Sequence, residues 1–115
     1  MSKELVMYTR TFGCPYVSTA KRILSQHNIA YREVFIDRDK AARERVLNWT
    51  GYLSVPTLVV AENGSDLPVV EPAPLPKGTS PRGIDRGAMI TEAGAEQLTA
   101  WLQKHGFIAA ASQTS

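Results

Sequence analysis

The sequence predicts an α/β domain with the element order β-α-β-α-β-β-α and one mixed four-stranded sheet flanked by helices. Three observations lead there. Short apolar runs occur at Leu5–Tyr8, Ile29–Ile36 and Thr57–Ala61, with the length and β-former content of buried strands. Helix-period segments separate them, and strand–helix–strand crossovers make the first two strands parallel. A shorter run, Leu67–Glu71, follows the third so closely that the two suit an antiparallel hairpin.

Residues 4–10 read as the first strand. Pro15 then suits the opening turn of a helix, where its missing amide hydrogen costs nothing. In that helix Ala20, Ile23, Leu24 and His27 share one face, and Lys21, Arg22 and Ser25 share the other. Asn28 is a stop signal. After the second strand, Asp37 is expected to cap a helix from Arg38 to Asn48 with Ala42, Val46 and Leu47 inward, broken at Thr50-Gly51-Tyr52. Pro68 and Pro72 mark the fourth strand, 67–71, as an edge. Residues 72–86 are rich in Pro, Gly and small polar residues and read as a long surface loop. Met89-Ile90 reads as a brief strand or as the loop's re-entry. Thr91 is expected to cap a last helix, Glu92–His105, with Ala95, Leu98, Trp101 and Leu102 inward and Gly106 ending it. Residues 1–108 thus form one domain, with an insertion at about 72–90, and 109–115 form a flexible tail.

Composition narrows the function. A net charge of +2 with scattered basic residues gives no nucleic-acid footprint. No apolar run approaches the ~20 residues of a membrane span. No signal peptide precedes the first strand, so a cytoplasmic location is expected; a monomer is expected as well. The single cysteine, Cys14, excludes an intrachain disulfide and a cysteine-based zinc cage. His27 and His105 form no metal-binding pattern. Charges between Asp37 and Arg45 read as a solvated helix face.

Cys14 is the candidate for chemistry. It falls between the first strand and the Pro15 helix, where free amides and the positive end of the helix dipole favour thiolate over thiol. Such placement lowers a cysteine pKa from about 8.5 into roughly the 3.5–7.5 range. Ser18 could hydrogen-bond the thiolate, although a solvated helix position is the simpler expectation. Trp49 and Tyr52 either wall the groove beside Cys14 or pack at the core and its rim.

Cys14-Pro15-Tyr16 after the first strand, Ala20-Lys21-Arg22-Ile23-Leu24 in the first helix, and Ser54-Val55-Pro56 before the third strand resemble the glutaredoxin branch of the thioredoxin fold. The resemblance covers roughly residues 4–71 and 91–105. It implies that Pro56 is cis and lies against the active thiol. It further implies that the backbone of Val55 pairs with an extended peptide or with glutathione. Arg10 matches a lysine that binds a glutathione carboxylate, a task suited to a guanidinium, and Tyr16 contacts the ligand.

The sequence departs from the family in three places. Val17 stands where the commonest motif has a second cysteine. One extra residue separates the first strand from Cys14. The glycine pair that follows the fourth strand in the family is missing, and the 72–90 insertion stands in its place. Val17 implies a monothiol oxidoreductase: Cys14 forms mixed disulfides with glutathionylated or disulfide-bearing proteins, and glutathione or another low-molecular-weight thiol resolves them. No tightly bound cofactor is expected. Two alternatives are an iron–sulfur cluster carrier working as a cluster-bridged dimer, and a non-catalytic thioredoxin-fold binding module.

Overall fold

A computed structural model of the chain describes residues 3–11, 15–75 and 78–108. Along these run β1 (Lys3–Thr9), α1 (Pro15–Gln26), β2 (Tyr31–Phe35), α2 (Lys40–Thr50), β3 (Thr57–Glu62), β4 (Met89–Thr91) and α3 (Ala95–Lys104). The sheet order is β2-β1-β3-β4. β1 pairs parallel with β2, with Leu5 opposite Tyr31, and antiparallel with β3, with Val6 opposite Val59. β4 pairs antiparallel with β3, with Leu58 opposite Ile90. The expected element order and mixed sheet are therefore present.

Alternation along the central strands divides the core between the two faces of the sheet. Leu5, Met7, Leu58, Val60 and Ile90 pack with Ala20, Ile23 and Leu24 of α1 and with Leu98, Trp101 and Leu102 of α3. Val6, Tyr8, Val59, Ala61 and Met89 pack with Ala42 and Val46 of α2. No helix among the described residues is long and apolar enough to cross a membrane.

Several expectations are corrected. The fourth strand is Met89–Thr91 rather than 67–71, which makes only an isolated bridge between Pro68 and Ala61. Two prolines within five residues leave too few amide donors for a ladder. The insertion therefore precedes β4, and the segment after β4 is Glu92-Ala93-Gly94, with Glu92 at φ +47. The cap of α2 is Asp39, whose Oδ1 accepts from the Ala42 amide at 3.2 Å. Asp37 is occupied elsewhere: its Oδ2 accepts from the Thr11 amide at 3.2 Å and from the Thr11 hydroxyl at 2.5 Å. Leu47 is 47% exposed, and Thr50 takes the buried place at the end of α2.

Thr91 belongs to β4 rather than capping α3. Gly94 is the N-cap, and its amide donates to Gln97 Oε1 at 2.9 Å. Ala95 is exposed and Ala93 is buried in its stead, and His27 is exposed. The tail 109–115 lies outside the described residues.

The loop reading of 72–86 needs one addition, because the segment is pinned. The residues before β4 fold back along its outer edge. Gly83 N donates to Thr91 O at 2.7 Å, and Arg82 and Asp85 bridge to Thr91 and Ile90. Gly83 has φ +73, and a Cβ there would meet the Gln97 side chain at 2.7 Å, so only glycine fits without displacing its neighbour. The insertion thus covers a sheet edge that would otherwise stand open.

Candidate functional site

The residues singled out in the sequence lie where β1 ends and β3 begins. Cys14 itself lies outside the described residues. Its neighbours in sequence, Arg10 and Tyr16, are both half-buried. Arg10 Nη2 donates to Leu53 O at 2.8 Å, which ties the chain leading to Cys14 to the turn before β3. In that turn Val55–Pro56 is a cis peptide bond, as the resemblance implied. Val55 is buried at 2% exposure, and Pro56 is buried with it.

Hydroxyls hold the turn from behind. Thr57 Oγ1 donates to Ser54 O at 3.0 Å. The proton in its 3.0 Å contact with Thr91 Oγ1 then comes from Thr91. All three residues are buried, so the Ser54–Thr57 turn is locked to β4. Beyond it, the Glu92 amide donates to Pro56 O at 2.8 Å.

In the first turn of α1, Val17 is buried with Val6, Tyr8, Val55 and Val59, while Ser18 is exposed. Position 17 is thus a core contact. Tyr16 meets the insertion: the Arg82 guanidinium lies over its ring, 5.2 Å from the centroid. Arg82 also pairs with Glu92 Oε1 at 3.5 Å.

Two clefts flank the turn. One, of about 550 Å³, is lined by Arg10, Leu53 and Ile36 together with Asp37, Arg38, Asp39, Lys40 and Arg43. Four cations face two carboxylates there. One of these, Asp37, is held below the usual carboxylate range by the Thr11 hydroxyl. This cleft is the feature that the sequence reading missed. Its charges were read as a solvated helix face because the approach of Arg10 to them is tertiary. The other cleft, of about 440 Å³, lies between Trp49, Thr50 and Tyr52 of the α2 end and Pro74, Leu75, Thr79 and Arg86 of the insertion. Trp49 packs edge-on against Tyr8 at 5.3 Å, while Tyr52 is 52% exposed. Trp49 thus combines core packing with a place in a cleft wall. Among the described residues, no group of three or more His, Cys, Asp or Glu side chains is placed to hold a metal ion.

Residues 5–64, more than half of the chain, match the family model for glutaredoxin. No curated protein matches the chain. Among solved structures, the chain is similar to the holo form of glutaredoxin C1 from Populus tremula x tremuloides, with 17% identity and a TM-score of 0.46. That likeness covers 87% of this chain and 74% of the poplar one. It is also similar to a buckwheat glutaredoxin–glutathione complex, with 20% identity and a TM-score of 0.49, over 93% of this chain and 83% of that one.

Proposed function

The chain belongs to the glutaredoxin family, and from that premise we propose that it is a monothiol thiol–disulfide oxidoreductase acting through Cys14, with glutathione as its co-substrate. The family is in general one of glutathione-dependent thiol oxidoreductases. The observation that carries the reading is the basic cleft beside the Leu53–Pro56 turn. Arg10 comes from the segment leading to Cys14, and Arg38, Lys40 and Arg43 come from α2 and its approach. A tripeptide thiol with free carboxylates suits such a cleft, because guanidinium groups bind carboxylates with two parallel hydrogen bonds.

In this mechanism the Cys14 thiolate attacks one sulfur of a glutathionylated protein. The old S–S bond breaks, the protein sulfur leaves as thiolate, and glutathione stays bound to Cys14. A glutathione thiolate then attacks that mixed disulfide, releases glutathione disulfide and restores Cys14. In net, one glutathione thiol is consumed, one protein thiol is freed, and the protein–glutathione disulfide is exchanged for glutathione disulfide. Val17 has no sulfur to close a disulfide on Cys14, which supports the external resolution step. Arg10, Tyr16 and the Val55–Pro56 turn serve as the binding surface.

The test is mass spectrometry after exposure to glutathione disulfide. The expected result is one glutathione adduct on Cys14, reversed by reduced glutathione and missing from Cys14→Ser. An unmodified Cys14 under excess disulfide would refute the reading. A brown dimer after anaerobic cluster reconstitution, without exchange activity, would favour cluster carriage instead.

A further inference from the structure

We propose that the wall shared by two clefts between the end of α2 and the insertion binds a small organic acid, with its single carboxylate on Arg86 and its apolar body against Trp49 and Pro74. This site goes beyond the thiol-exchange reading and does not rest on Cys14.

Arg86 is a buried cation without a counterion. It is 6% exposed, and among the described residues no carboxylate lies within ion-pair distance of it. Burial pulls its pKa down, and no neighbouring charge opposes the shift. Buried charges are ordinarily paired, because their desolvation is costly. The protein partners of this one are all neutral. Nε donates to Ala73 O at 2.7 Å, and Nη1 donates to Trp49 O at 2.6 Å and to Met89 Sδ at 3.7 Å. The two N–H groups of Nη2 remain, with no hydrogen-bond partner among the described residues. Nη2 is not one of the fully buried polar atoms that lack a bond, so it opens into the clefts that Arg86 lines.

Those clefts hold about 440 and 520 Å³, the size of small-molecule sites. They meet at Asn48, Trp49, Pro74 and Arg86. Their other charged lining residue is Glu71, in the larger cleft. One free cation therefore matches one carboxylate through a charge-assisted bond, and a second negative charge would meet Glu71. The neighbourhood is otherwise apolar. Tyr52, Leu67 and Val70, three of the four large hydrophobic side chains exposed among the described residues, line clefts that also include Trp49. A ligand with a ring covers such a wall while its carboxylate reaches Nη2.

Arg86 also fastens the insertion, so its truncation tests folding together with binding. Asn48 avoids that problem, being exposed on the shared wall. The experiment titrates the full chain at neutral pH and fixed ionic strength with phenylacetate and with its neutral analogue phenylacetamide. The readout is the NMR shift of the Trp49 indole N–H and the Arg86 Nε–H. Phenylacetate is expected to move both, with a dissociation constant of about 1 mM, ordinary for a ligand of its size. Phenylacetamide binds at least about tenfold more weakly, and Asn48→Asp weakens phenylacetate by about tenfold, the scale of one added like charge near the surface. Glu71→Gln tightens it. Equal affinity for acid and amide, or an Asn48→Asp protein that binds as well as the parent, would overturn the inference. So would shifts confined to the residues around Arg10, which would place the carboxylate in the other basic cleft, or no shift at about 20 mM phenylacetate.

Discussion

Up to Glu62 the chain builds β1, α1, β2, α2 and β3 from apolar runs and helical stripes that bury themselves on a sheet. From Asn63 to Ala88 the described residues form no regular element and are held by polar side chains gripping backbone carbonyls. Arg86, at 6% exposure, donates to Ala73 O at 2.7 Å and to Trp49 O at 2.6 Å. Trp101 Nε1 and His105 Nε2 both reach Gly87 O, at 2.9 and 2.7 Å. Lys104 pairs with Asp85 at 2.7 Å. The first region is a scaffold stabilised by the hydrophobic effect. The second is a strap whose position depends on a few directional bonds, so it opens at a lower free energy than the scaffold.

If the scaffold's α1 start carries the chemistry, the largest effect comes from Cys14→Ser. Exchange with glutathione disulfide falls to the uncatalysed background while the thermal unfolding midpoint stays near that of the parent. Partial activity in this variant would break the assignment of chemistry to that region.

The contrast in forces also explains what the sequence revealed. Period-two and period-3.6 patterns report burial, so Leu5–Tyr8, the Ala20-Ile23-Leu24 stripe and Leu98-Trp101-Leu102 were all readable. The place of β4 was not, because a three-residue strand carries too little pattern to outrank the Leu67–Val70 run. Of that run, Leu67 and Val70 prove about half exposed. The Asp37 and Asp39 roles were exchanged because both residues precede the helix, and only the contact with Thr11 separates them. Cys14, Arg10, Tyr16 and Pro56 were singled out through motif chemistry. Arg82 and Glu92 were not, since nothing local in a Pro/Gly-rich loop shows that it folds back to Tyr16.

The next largest effect comes from the strap. Arg86→Met strands two carbonyls, and the stability loss is about 2–4 kcal/mol, read by denaturant unfolding. Hydrogen exchange at residues 82–88 rises well before that of β1 and β3. Equal loss of protection in both regions would show that strap and scaffold are one cooperative unit.

A smaller effect separates the two aspartates of the scaffold. Asp39→Ala costs about 1 kcal/mol, as for loss of a helix cap, and Asp37→Ala costs less because its Thr11 contact is solvent-exposed. The reverse order would restore Asp37 as the cap.

The smallest effect is a pH dependence of the strap. Burial holds the His105 ring below its usual value of 6.5, against the opposing hydrogen bond to Gly87 O. The unfolded chain therefore binds the extra proton more readily. Stability rises with pH through the window just below 6.5 and is lost on acidification through it. The unfolding midpoint should fall between pH 7.5 and 5.5, and less so in His105→Gln. Identical slopes in the two proteins would exclude His105 as the cause.

The measurement that bears most directly on the central claim is the rate of Cys14 alkylation by iodoacetamide as a function of pH, in the full chain. An activated thiolate gives a midpoint within roughly 3.5–7.5. A midpoint at or above about 8.5, the value of an ordinary thiol, would contradict the account.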